Sequence, residues 1–220
     1  MNRTLAHVIS VIGHPMLVLT YALLLMLAAN PFLFGVRSLA DSRAVVLIVS
    51  VFASTVLIPG VGVAMMKPLG LVKSLDLADK QERIGPYIVT GVFYLWLFKN
   101  LISLGQTPAI FSKFVLGATI GLFLAFFINI FNKISAHTVG MGGFIAMILL
   151  LLLAWENPML GIPAFGGAML ASLYALLALV VLLAGAVGTA RLALRAHTVG
   201  QVYLGYGIGF GAVMLGYVLI

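Results

Sequence analysis

The sequence predicts an all-α, polytopic transmembrane helix bundle of about six to seven spans. Three observations carry this prediction. Mean hydropathy is +1.23. Hydrophobic residues make up 63% of the chain and charged residues only 8%, against roughly 25% charged in a soluble domain. Apolar runs of about 18 residues or more, the length that crosses a bilayer, recur along the chain. Backbone groups in lipid must be bonded internally, and these runs are too long for barrel strands, so each is read as a helix.

The apolar segments fall, in order, at roughly 11–29, 44–66, 86–104, 109–131, 139–155, 165–188 and 200–219. The N-terminus runs into the first of them without a cleavable signal pattern. "ANPFLFGVRSLADSR" joins the first two segments, "GQTP" the third and fourth, and "ENPMLGIP" the fifth and sixth. The longest polar stretch is "KSLDLADKQER", Lys73 to Arg83. No connector has the length of a domain linker, so residues 1–220 read as a single integral-membrane domain. The last segment, "GYGIGFGAVMLG", has the small residues that let helices pack closely.

Composition excludes several chemistries. There is no cysteine, so thiol catalysis and disulfides are ruled out. The formal charge of +7 reads as topology signal and attraction to anionic headgroups, with no nucleic-acid partner. The four histidines are scattered, without metal-ligand spacing, so neither a metal nor any other cofactor is expected.

The pentapeptide Ala-His-Thr-Val-Gly occurs twice, at residues 136–140 and 196–200. Two segments separate the Lys73–Arg83 loop from the first copy, and two more separate the first copy from the second. Even numbers of crossings return the chain to the same face, here named side A. That side therefore collects Lys80 and Arg83, then Ser135 and His137, then Arg191, Arg195 and His197. Fixed cations, a hydroxyl, two imidazoles and a helix N-terminus at a membrane edge are the chemistry of a phosphate site, and the setting makes the phosphate that of a lipid. A neutral imidazole can attack phosphorus to give a phosphohistidine, and a protonated one can donate to the departing alkoxide.

At these residues the chain resembles the type 2 phosphatidic acid phosphatase superfamily, which includes membrane lipid phosphatases and is related to bacterial acid phosphatases and vanadium haloperoxidases. That family carries Lys-x6-Arg-Pro, Pro-Ser-Gly-His and Ser-Arg-x5-His-x3-Asp. Here "DLADKQERIGPY" supplies Arg83 with Pro86 nearby, "ISAHTVG" supplies Ser135 and His137, and "ARLALRAHTVGQ" supplies Arg191, His197 and Gln201. The resemblance covers roughly residues 73–215, a phosphatase-like core. It implies a metal-independent lipid phosphate or pyrophosphate phosphatase or phosphotransferase acting through a phosphohistidine. His197 would be the nucleophile, His137 the acid, and Lys80, Arg83, Ser135 and Arg191 the phosphate-binding groups.

The departures from that pattern bear on activity. Asp76 stands seven residues before Arg83, where the family has Lys, so Lys80 is expected to take that role. Ile134, Ala136 and Ala190 replace the family's Pro, Gly and Ser. Gln201 replaces the Asp that would orient the nucleophile, and an amide adds no negative charge. The alternative reading is therefore a lipid-phosphate binding or transport protein with a degenerate, non-catalytic pocket.

Other residues are expected to have bland roles. Lys133 and Arg195 read as interfacial anchors, and His14, in "GHPM", as an interfacial residue with at most a rim role. Tyr87, Tyr94, Trp96 and Trp155 read as belt or lipid-facing residues, and Glu156 as exposed on the opposite side. Side A holds eight of the twelve basic residues, Arg3, Lys67, Lys73, Lys80, Arg83, Lys133, Arg191 and Arg195. The positive-inside rule would put that face in the cytoplasm. The resemblance suggests the outer face of a bacterial inner (cytoplasmic) membrane.

Overall fold

The computed structural model describes residues 1–74, 77, 79–105, 107–155, 159–164 and 167–220. Asp76 and Glu156 lie outside them. Among the described residues, seven helical spans are long and apolar enough to cross a membrane, so the chain is an all-α polytopic bundle. Large apolar side chains such as Phe127, Phe131, Leu153 and Leu182 cover its outer surface, where lipid takes the place of water.

The first span is two helices, α1 (Arg3–Ile12) and α2 (Val18–Ala29). Pro15 has no N–H to continue α1, and Gly13 caps it. His14 then caps the short 3₁₀ turn Pro15–Leu17, its Nδ1 accepting from the Met16 N–H at 3.4 Å. The second span joins α3 (Ser42–Phe52) to α4 (Ile58–Met66) through a π-helical turn, Ala53–Leu57. Pro59 just beyond it accounts for the interruption, because its ring displaces the backbone bond the helix would make there.

Helices α5 (Ile84–Leu104) and α6 (Ala109–Phe131) form the third and fourth spans. The fifth is α7 (Ala136–Ala154), most of whose side chains on every face are buried. It packs most extensively against α9 (Val199–Leu219), which also packs on α6. The glycines of α9 allow this. A Cβ on Gly209 would strike the Val139 carbonyl, and one on Gly205 would strike the Thr138 hydroxyl.

The sixth span differs from the sequence expectation of 165–188. It is α8 (Leu173–Ala193), capped by Ser172. The apolar residues before it form an antiparallel hairpin, β1 (Met159–Ala164) with β2 (Gly167–Ser172). Hydropathy alone cannot separate a short apolar strand from the start of a helix.

Candidate functional site

A cavity of about 430 Å³ lies between the helices. His14, Arg83, His137, Arg191 and His197 line it together with a long apolar wall. Four of the residues singled out from sequence, Arg83, His137, Arg191 and His197, thus meet in one place. They come from the start of α5, the first turn of α7, the last turn of α8 and the connector before α9.

Arg83 is 9% exposed. Its Nε donates to the Leu77 carbonyl at 2.8 Å and its Nη1 to the Ile134 carbonyl at 3.2 Å. These bonds tie the polar loop to the residues before α7. A guanidinium has five N–H donors, so others remain for a ligand. Arg191 donates through Nη1 to the Ser10 hydroxyl at 3.4 Å, and the Ser10 carbonyl sits beside the His137 ring.

His197 is 8% exposed. Its Nδ1 lies 3.1 Å from Gln201 Oε1. The same oxygen accepts the Thr198 backbone N–H at 3.3 Å, which identifies it as the carbonyl end of the amide. The Nδ1 therefore carries the proton, and the Nε2 lone pair is left for other chemistry. Burial, then the field of Arg83, push the His197 pKa down to about 3. Arg191 and Lys133 add to the fall, and the Gln201 hydrogen bond opposes it. The ring is neutral at ordinary pH. Lys133 belongs to the same field. Burial lowers its pKa, as do Arg83 and Arg191, against a small opposing pull from Asp79.

The other three predicted residues stand outside the cavity wall. Lys80 donates through Nζ to the Ile130 and Phe131 carbonyls, both at 3.0 Å, and so caps the C-terminus of α6. Asn129 fixes the loop from the other side by donating to the Lys80 carbonyl at 2.7 Å. Ser135 is fully buried as the N-cap of α7, accepting from the Thr138 N–H. Gln201 is not part of the lining and bears on the cavity through its bond to His197.

Two groups were under-weighted in the sequence. His14 lines the cavity, its ring packed edge-on against His137 at 5.2 Å between centroids. The signal was the Gly-His-Pro break, which turns a mid-segment histidine inward. Tyr87 and Tyr94, expected at the lipid face, are 8% and 4% exposed and line the cavity. The signal there was spacing. Tyr87 follows Arg83 by four residues, and Thr90 and Tyr94 continue the same face of α5. Trp96, by contrast, is 54% exposed.

From Arg83 to Tyr94 the wall is about 16 Å long, at about 1.5 Å of helix rise per residue. That is roughly half of a ~30 Å hydrocarbon core. Leu19, Phe114, Phe144, Met147 and Val213 supply much of the remaining lining. Among the described residues, no group of three or more His, Cys, Asp or Glu is arranged to hold a metal ion.

Comparison with known proteins adds no identification: no family model, curated protein or solved structure matches this chain.

Proposed function

We propose that this protein is a lipid phosphate or pyrophosphate phosphatase, or phosphotransferase, of the type 2 phosphatidic acid phosphatase kind. The observation that carries the reading is the shape of the cavity's chemistry. Two guanidinium groups and three imidazoles share a space whose remaining wall is largely apolar and about one leaflet deep. An anionic headgroup attached to a hydrocarbon chain satisfies both parts at once.

His197 has the tautomer a nucleophile needs. Its Nε2 would attack phosphorus, forming an N–P bond as the P–O bond to the lipid breaks. The departing alkoxide would take a proton from His137, which the negative charge of the bound phosphate would hold in its protonated form, and water would then hydrolyse the phosphohistidine to release inorganic phosphate. Arg83 and Arg191 would stabilise charge on the phosphoryl oxygens. The N-terminus of α7, which carries His137, adds its dipole.

One observation favours a second reading, a lipid-phosphate binding or transport protein without turnover. The partner of His197 Nδ1 is an amide, so the imidazolium formed during transfer receives no carboxylate support. Purified protein decides between them. Release of inorganic phosphate from short-chain lipid phosphates, unaffected by chelators and lost in His197→Ala, supports the enzyme. Tight lipid-phosphate binding without release supports the binder.

A further inference from the structure

The hydroxyl of Tyr87 is a buried donor without a hydrogen-bond partner, on a side chain that is 8% exposed and lines the cavity. Its ring is held by Phe126, with centroids 6.1 Å apart, and by packing with Ala125, Ile134 and Val139. The next hydroxyl along that face, Thr90, already donates to the Pro86 carbonyl at 2.8 Å. A buried hydroxyl left unmet forfeits the hydrogen bond it made to water, so the position calls for an acceptor from within the cavity. On a helix, long side chains lean back toward the N-terminus. Tyr87 thereby reaches toward the turn that carries Arg83, at the boundary between the cationic end and the apolar wall.

We infer that Tyr87 is a ligand-recognition residue, its hydroxyl donating to an oxygen of the bound amphiphile where headgroup meets tail. The inference rests on the lipid-phosphate reading above and adds a requirement to it. The ligand must present an oxygen acceptor at that depth, which a phosphoryl oxygen or the ester carbonyl of an acylglycerol phosphate can supply.

The test uses oleoyl lysophosphatidate and oleyl phosphate, which share chain length and phosphate but differ in the glycerol ester. Binding of each is titrated in detergent micelles, in the His197→Ala background so that neither probe is consumed. Tyr87→Phe keeps the ring packing and removes only the hydroxyl. It should weaken binding about fivefold to tenfold. A loss confined to lysophosphatidate assigns the acceptor to the ester, and a loss on both probes assigns it to the phosphate. If the background protein binds both probes and Tyr87→Phe weakens neither, the inference is overturned and the hydroxyl is met by trapped water. If the background protein binds neither probe, the lipid-phosphate reading fails and this inference falls with it.

Discussion

The two copies of Ala-His-Thr-Val-Gly are identical in sequence and different in structure. In the first copy Ser135 is the N-cap, α7 starts at Ala136, and His137 lies inside the first turn. In the second copy Thr198 is the N-cap, α9 starts at Val199, and His197 lies outside the helix. Neighbours set the register. Ser135 stands three residues before Thr138 and captures its N–H, so the helix can begin early. The matching position in the second copy is Arg195, which cannot cap. Thr198 caps there instead, and Gln201 three residues later completes a capping box. The first copy has Met141 at that offset.

This difference separates the chemistry of the two imidazoles. His197, off the helix, donates its Nδ1–H to the carbonyl oxygen of the amide that closes the capping box. Its tautomer is thereby fixed by the start of a helix. His137, on the helix, faces the Ser10 backbone carbonyl instead of an amide side chain and packs against His14. The comparison breaks if the two rings are interchangeable. His197→Ala should abolish phosphate release, a loss of at least about a thousandfold for a covalent nucleophile. Lipid-phosphate binding should change by only about 1 kcal/mol. His137→Ala should slow release without preventing a phosphohistidine from forming on a substrate whose leaving group needs no proton, such as a nitrophenyl phosphate. Equal behaviour of the two variants on that substrate would refute the assignment.

Much of the fold was legible because hydropathy over a full span is a strong signal, and crossing parity follows from it. Parity places Arg83, His137, Arg191 and His197 on one face, and the structure brings all four to one cavity. What was not legible depended on short-range geometry. Lys80 has the charge for a phosphate site, yet its amine reaches the end of α6, a contact fixed by how the loop folds back. Ser135 is spent on the helix it starts. The inward turn of His14 depends on a helix break that a hydropathy window averages away, and Tyr87 was hidden by the habit of reading tyrosine at a membrane edge as belt.

The comparison sharpens at Gln201, which the second copy has and the first lacks. In Gln201→Asp a carboxylate would accept from both the Thr198 N–H and the His197 Nδ1–H, keeping the cap and the tautomer while stabilising the imidazolium. Turnover should rise by about tenfold or more. If wild type binds lipid phosphate without releasing it and Gln201→Asp releases none either, the site is a binder.

His197 also gives the second copy a pH signature. Its pKa near 3 in the folded protein lies below the ordinary value of about 6.5. Between those values the unfolded chain binds a proton that the folded one refuses. Stability is therefore full above about pH 6.5 and falls as the pH drops toward 3, by on the order of 1 kcal/mol per pH unit. Thermal unfolding in detergent across that window should show the decline, and His197→Gln should make it shallower. An unchanged slope in His197→Gln would mean that another group carries the dependence.

The smallest effect tests why the second copy starts late. Helix α8 ends in a Schellman motif. The Ala196 N–H bonds the Arg191 carbonyl and the Arg195 N–H bonds the Leu192 carbonyl, at 3.0 and 2.9 Å. That motif needs a left-handed residue, and Arg195 supplies it with φ of 52°. A side chain with a Cβ is strained there, whereas glycine is not. Arg195 is exposed and does not line the cavity, so its side chain is expendable. Arg195→Gly should raise stability by about 0.5–1 kcal/mol, seen as a modest increase in Tm, with phosphate release unchanged. A Tm that falls would show that the Arg195 side chain contributes more, through contact with anionic headgroups, than the strain it imposes.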